Sequence, residues 1–389
     1  MLPEGWEIIH LGDCLSMLRS GLSRNLSSED IGVPVIRSGN MTDEYINFEE
    51  LKYWHIDDPQ GSDTSNYILD DGDLLISFIN SQAQIGKTSI FFNKINRPCI
   101  YTTNILRAKP SANLDLRYFF YVTKTKDYDD YIQSITKPAV NQASFTTKDF
   151  QKYKFQLPPL PEQKKIARIL STWDNAISAT VRLLENSQQR KKALMQQLLT
   201  GKKRLPGFEG GWEEQVLSVL CSIKTGKKDV NEGNPDGIYP FFTCANEPTW
   251  SDSYSYDCEA LLIAGNGMLG RTHYYNGKFE AYQRTYILSD FQGVDVSFLH
   301  QYILFWLMRD IEREKQHGAM PYIKLGLLQN FRVFKPDLKE QQAIANVLTT
   351  ADQEIDALQK RLGHLKLEKK ALMQQLLTGK RRVLVDTAA

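Results

Sequence analysis

Two stretches of the chain carry apolar residues at alternating steps of three and four, and the remainder breaks into short apolar runs punctuated by Gly, Asn and Asp. In the second stretch one row is Ile344, Ala351, Leu358, Leu365 and Leu372, and the other is Leu348, Ile355, Leu362, Lys369 and Leu376. That spacing lines the face of a helix that packs lengthwise on another helix. The first stretch keeps Ile166, Leu170, Trp173, Ile177, Leu184, Leu194 and Leu198 but places Thr180, Ser187 and Lys191 on the same rows, so its seam is expected to be weaker in the middle. Pro158, Pro159 and Pro161 stop the preceding strand and open the first helix, while Gly201 and Gly379 end the two helices where a left-handed residue is cheap. Each predicted helix is about 38 residues, roughly 57 Å at 1.5 Å per residue, too long to lie on one small core. Its natural partner is the other helix, running antiparallel; packing against a different protein is the main alternative.

The two stretches are copies. KKALMQQLLTGKKR at 191–204 returns as KKALMQQLLTGKRR at 369–382, 178 residues on, and the same offset aligns PLPEQKKIARIL from Pro159 with DLKEQQAIANVL from Asp337. Two equivalent structural units follow. Before each helix lies a segment that reads as a compact α+β domain of short strands and turns, residues 1–157 and 212–336. Their landmarks correspond: Gly5-Trp6 with Gly211-Trp212, Asp73-Leu74-Leu75-Ile76 with Glu259-Ala260-Leu261-Leu262-Ile263, and Gly86-Lys87-Thr88 with Gly270-Arg271-Thr272. Elsewhere the domains differ greatly. Near-identical helices beside divergent domains imply that the helices meet something common and the domains meet different things.

The chain order is therefore domain 1–157, spacer helix 158–201, linker 202–211, domain 212–336, spacer helix 337–379 and tail 380–389. Helix one leaves through Lys202-Lys203-Arg204 into Leu205-Pro206 and Gly211-Trp212; helix two leaves through Lys380-Arg381-Arg382, and the N-terminus opens with the matching Leu2-Pro3 and Gly5-Trp6. The chain reads as a circle cut at one linker, with its C-terminal tail expected beside its N-terminus in a pseudo-two-fold circular arrangement.

Charge and composition narrow the function. With 389 residues and 42% apolar content the chain has room for two or three cores, and no apolar run approaches the roughly 20 residues of a membrane-spanning helix. The start, MLPEGWEIIHLGD, does not read as a secretory signal, so the cytoplasm is the expected location. Cys14, Cys99, Cys221, Cys244 and Cys258 form no CxxC pair and the His residues no HxxxH, so neither a disulfide framework nor a metal site is expected. Net charge is only +1. Residues 41–73 hold Asp43, Glu44, Glu49, Glu50, Asp57, Asp58, Asp63, Asp70, Asp71 and Asp73 against Lys52, a surface expected to repel phosphates and to face solvent or a partner.

The duplicated entry at Leu157 to Gln163 and Lys335 to Gln341, with helix ends at Leu198 to Gly201 and Leu376 to Gly379, resembles the specificity subunit of type I restriction-modification enzymes over essentially the full length. Lys335-Pro336-Asp337 departs slightly from the Pro-Leu-Pro entry. The resemblance implies an α+β architecture of two target-recognition domains joined by two long antiparallel helices forming a coiled coil. Each domain would read one half of an interrupted double-stranded DNA site, and the helix pair would fix the distance between halves. It also implies two methyltransferase subunits that bind S-adenosylmethionine, and ATP-driven motor-nuclease subunits, as partners, with no cofactor on this chain itself.

Residue chemistry agrees. SQAQIGKTS at 81–89 ends like a phosphate-binding loop, but Ser81 stands where the first glycine belongs, and Gly270-Arg271-Thr272 abandons the lysine, which suits a tight turn bearing a DNA-contacting cation. An adenine methyltransferase would need a glycine-rich cofactor loop and an Asn/Asp-Pro-Pro-aromatic tetrad, and neither occurs. Glu162-Gln163 and Glu340-Gln341 sit in first helical turns and read as structural or partner-contacting. Candidate DNA contacts are Ser23, Arg24, Arg37, Asn40, Gln84, Lys87, Asn141 and Gln142 in the first domain, and Lys224, Lys227, Lys228, Asn246, Asn266, Arg271, Gln283, Arg284, Tyr322 and Lys324 in the second. Arg suits guanine, Asn and Gln suit adenine, and Lys mostly finds phosphate. A coiled-coil scaffold with peptide-binding domains and a fused modification enzyme are the alternatives; salt-dependent duplex binding and bound S-adenosylmethionine would respectively discriminate them.

Overall fold

The computed structural model describes residues 2–43, 45–138, 142–314 and 322–384. Contacts divide the chain into two units, Met1–Ala179 with Leu362–Ala389, and Thr180–Arg361. Each unit is thus built from one globular domain, part of one long helix and part of the other.

The long helices are Leu160–Leu198 and Leu338–Leu376, each of 39 residues. They stop slightly before Gly201 and Gly379, which take φ of +68° and +67°. The reversal lets the N–H of Lys203 and of Arg381 donate back to the carbonyls of Gln197 and Gln375, at 3.1 Å in both copies. Repeated sequence has produced repeated terminus geometry.

In the first unit the strands Leu15–Ser20, Ile105–Pro110, Leu74–Ser77 and Thr88–Ile90 form a four-stranded sheet in that order. A separate sheet pairs Val33–Ile36 with Lys52–Trp54 and, in parallel, with Ile100–Tyr101. In the second unit the corresponding strands make one six-stranded sheet. The unbroken ten-residue strand Thr272–Ala281 bridges its halves, pairing with Tyr256–Ala264 and, in parallel, with Tyr239–Phe242. The first domain interrupts that strand between Ile90 and Ile100, where Pro98 lacks a ladder donor and Asn96 turns through φ of +53°.

Both domains close on themselves with a two-stranded ribbon, Glu7–His10 with Lys154–Leu157 and Glu213–Val216 with Arg332–Lys335. The ribbon delivers the chain directly into the long helix. The Gln of each helix entry then fastens helix to domain. Gln163 accepts from the Asp115 N–H at 2.8 Å and donates to the Pro158 carbonyl at 2.8 Å; Gln341 does the same with Asp295 and Pro336, again at 2.8 Å each. The neighbouring glutamates are buried and hold the exit of the other long helix: Glu162 accepts from Arg382 at 2.8 Å and from Trp6 Nε1 at 3.0 Å, and Glu340 pairs with Arg204. In the first unit this brings the C-terminal tail onto the N-terminus. Arg382 also donates to the Glu4 carbonyl at 3.0 Å, and Gly379 lies against Pro3 and Trp6.

Within each unit the helix segments run antiparallel, as partner numbers that rise on one helix while falling on the other show: 162 with 382 and 174 with 369, then 187 with 354, 191 with 352 and 204 with 340. The apolar rows do more than face another helix. Ile166, Leu170, Leu372 and Leu376 join the first domain's core, and Leu194, Leu198, Ile344 and Leu348 join the second's. Trp173, Leu184, Leu358, Leu362 and Leu365 are half-buried and Ile177 and Ile355 buried. The polar residues on those rows are not simple weak points. Ser187 Oγ donates to Glu354 at 3.0 Å, Lys191 pairs with Asp352 at 2.5 Å and Lys369 pairs with Asp174.

The acidic stretch 41–73 departs from the expectation of a purely outward surface. Asp58 is enclosed, accepting from Arg24, Trp54 Nε1 and the Gln60 and Ser62 N–H groups, which hold its carboxyl well below the usual range, the Arg24 bond foremost. Asp73 is buried against Arg107, 2.5 Å away, and burial raises its pKa. Among the described residues no helix is long and apolar enough to cross a membrane, and no group of three or more His, Cys, Asp or Glu is placed to hold a metal ion.

Candidate nucleic-acid interface

At one end of each domain's sheet the loops are held by the same backbone hydrogen bonds. In the first domain Ser77 N donates to the Lys87 carbonyl at 2.9 Å, Phe78 N to Asn104 at 3.2 Å, Phe145 N to Phe78 at 3.3 Å and Thr102 N to Ile36 at 3.0 Å. In the second, Ala264 N donates to Arg271 at 2.8 Å, Gly265 N to Arg284 at 2.9 Å, Ile323 N to Gly265 at 2.8 Å and Tyr282 N to Phe242 at 3.0 Å. Position by position, Lys87 therefore stands where Arg271 does, and Asn104 where Arg284 does. The turn glycine is required in both. Gly86 has φ +79° and a Cβ there would lie 2.6 Å from Ile132; Gly270 has φ +76° and a Cβ there would lie 2.7 Å from Met308.

The shared frame gathers most second-domain candidates. Lys227, Asn246, Arg271, Gln283, Arg284, Tyr322 and Lys324 are exposed on it and Asn266 is half-buried. Backbone bonds bind these loops together: Met268 N to the Cys244 carbonyl at 3.0 Å, Lys227 N to Ala281 at 3.2 Å and Gln283 N to Lys228 at 2.9 Å. Lys227, Arg271, Arg284 and Lys324 enter no ion pair among the described residues. Such a cluster offers bidentate guanidinium donors for base edges and ammonium groups for phosphates. Lys228 is differently engaged, donating to Ser251 at 3.1 Å and Ser253 at 2.7 Å, with buried Glu280 3.5 Å away. Gln283 reaches Asp229 at 3.1 Å and Asn246 reaches Glu247 at 3.0 Å, both on the surface. Lys224 lies in the strand Ser222–Thr225 with its ammonium 3.9 Å from Asp290.

The first-domain candidates divide. Arg24 is bound to Asp58 and Ser62, and buried Asn40 donates to the carbonyls of Asn47 and Glu49 at 3.2 Å each, so both serve the loop fold. Arg37 donates to the Glu50 carbonyl at 2.9 Å, and Lys87 lies 3.1 Å from Asp43. Ser23, Gln84 and Gln142 are exposed, and Asn141 lies outside the described residues. Sequence reasoning did not single out Thr103 and Asn104, which the frame places where Gln283 and Arg284 stand. The signal was available, because Thr103-Asn104 precede the strand Ile105–Pro110 as Gln283-Arg284 precede Thr285–Ser289.

Residues 3–186 and 209–367 match the family model of the type I restriction modification DNA specificity domain. The chain belongs to that family. It is 29% identical to the putative type I restriction enzyme MjaX specificity subunit of Methanocaldococcus jannaschii, over 98% of this chain and 95% of the relative. The type I restriction enzyme EcoDI specificity subunit of Escherichia coli is 34% identical over 171 residues, 43% of this chain and 37% of that one. The fold is shared with the crystal structure of the type I restriction-modification system S subunit from M. genitalium, with a TM-score of 0.70 at 15% identity and 96% of each chain covered.

Proposed function

We propose that the chain is the DNA-reading subunit of a type I restriction-modification complex and performs no chemistry itself. Each domain reads one half of a bipartite duplex site, and the long helices set the gap. The observation that carries this reading is one hydrogen-bonded loop frame occurring twice with different side chains, on domains whose long helices end in the same sequence, KKALMQQLLTGK. A common support suits a common partner, and unlike loops suit unlike half-sites. Two methyltransferase subunits and motor-nuclease subunits complete the assembly, S-adenosylmethionine and ATP being bound there.

Methylated motifs mapped in cells test it. Exchanging residues 1–157 for the corresponding segment of a relative should change one half of the motif; a change in both halves overturns the modular reading. Inserting four residues into each long helix advances it by about 6 Å and turns it by about 40°, and should alter the gap between halves. Methylation or cleavage by the purified chain alone would overturn the non-catalytic assignment.

A further inference from the structure

In each unit one carboxylate joins three elements. Asp352, on the second long helix, accepts from Lys191 of the first at 2.5 Å and from Gln301 Nε2 of the domain helix Val296–Glu314 at 2.7 Å. Asp174, on the first long helix, accepts from Lys369 of the second and from the Tyr121 hydroxyl of the domain helix Leu116–Val122 at 2.6 Å. Lys191 and Lys369 are largely covered, with side-chain exposures of 15% and 17%, and both sit on the apolar rows. We propose that Asp174 and Asp352 are register keys, holding the two long helices in one alignment and so making the gap between half-sites a single value; this rests on the helix pair being the ruler.

The sequence around each key supports the assignment. An antiparallel apolar seam tolerates a slip of one heptad, because the rows still face each other. Such a slip would bring Lys191 opposite Ala345 or Gln359, and Lys369 opposite Ala167 or Val181. None of these offers a carboxylate, and a covered ammonium without a partner is strongly disfavoured. An all-apolar seam would penalise the slip far less. Replacing a covered ion pair with apolar residues of similar size is often neutral or stabilising, so the value of these pairs lies in selecting one alignment.

The test uses the chain assembled with its methyltransferase, on duplexes carrying the mapped motif with its own gap or with the gap changed by one base pair. The paired variant Lys191→Met with Asp352→Leu should assemble and methylate the native gap, while discrimination against altered gaps falls by about tenfold. Reversing the pair, Lys191→Asp with Asp352→Lys, should restore discrimination, because the side-chain amide oxygen Oε1 of Gln301, buried without a partner, can accept from the relocated ammonium. Undiminished discrimination in the apolar pair overturns the proposal. So does a reversed pair whose discrimination falls about tenfold below that of the unsubstituted chain, and this arm decides the matter if the apolar pair fails to assemble. If the four-residue insertions move the gap while the apolar pair keeps full discrimination, the keys fail and the ruler stands; if the insertions leave the gap unchanged, the ruler itself fails.

Discussion

The two recognition domains share a hydrogen-bonded loop frame and differ in what they place on it. Where the second domain sets Arg271 and Arg284, both exposed and outside any ion pair among the described residues, the first sets Lys87, facing Asp43, and Asn104. Three of the first domain's arginines are held by carboxylates: Arg24 by Asp58 and Arg107 by Asp73 where they are covered, and Arg97 by Asp30 at 2.6 Å on the surface. A frame built from main-chain bonds leaves its side chains free to diverge without cost to the fold, which is what a module that must change its target requires. On the proposed reading the contrast separates two ways of meeting DNA: the second loop cluster would offer cations for base edges and phosphates, whereas the first would offer amides, hydroxyls and the Asp43-paired Lys87.

The largest expected effect follows from Arg284. Its carbonyl is fixed by Gly265 N–H at 2.9 Å, so truncation leaves that backbone bond in place and removes the exposed side chain beyond Cβ. Arg284→Ala should lower methylation of the cognate site by about 10–100-fold, the worth of a bidentate base contact at about 1–3 kcal/mol, and should relax one position of the second half-site. An unchanged motif and rate would remove Arg284 from the readers. Asn104→Ala is the matching substitution in the first domain. It should cost about tenfold and relax one position of the other half only. Relaxation of the same half by both variants would break the correspondence between the frames.

Much of the architecture was legible because it repeats. The helix entries, the glycine exits and the apolar rows could be read from a self-comparison, and the backbone bears out the shared helix terminus. The polar interruptions were harder. Thr180, Ser187 and Lys191 look like defects when one helix is read alone, and only the partner at Glu354 or Asp352 shows what Ser187 and Lys191 do. The binding loops were least legible. Arg24 and Arg284 are the same residue type in loops of the two domains, yet one is locked to Asp58, 34 positions away, and the other is exposed. The difference is made by which distant carboxylate the fold brings near.

Salt dependence sharpens the contrast by a smaller margin. Removing a cation that contacts phosphate lowers the slope of log affinity against log salt by about one. Lys227→Ala should show this reduction for the assembled complex on duplex DNA. Lys87→Ala should show less, since Asp43 already offsets its charge at 3.1 Å. Equal reductions would mean that the Lys87 pair opens on binding and that the first domain is as electrostatic a reader as the second.

The smallest expected effect concerns thiols, and it probes the second loop cluster without altering it. Burial raises the pKa of Cys14 and Cys99 to about 11 and that of Cys221 to about 12, so at neutral pH all three remain protonated and covered, and thiolate-directed reagents should reach them slowly. Burial likewise raises that of half-buried Cys258, in the strand Tyr256–Ala264. Cys244 differs in position. It is half-buried in the loop cluster, its Sγ 3.5 Å from the Arg284 carbonyl and its own carbonyl holding Met268 N–H at 3.0 Å. In the folded chain a neutral maleimide should therefore label Cys244 before the three buried thiols, as read by mass spectrometry of digested protein. Duplex DNA with the cognate second half-site should slow that labelling by a few-fold in the assembled complex, while DNA altered only in that half should protect less. Protection that ignores the sequence of the second half would place Cys244 beside phosphates alone, and no protection would place the loops around Arg284 away from the duplex.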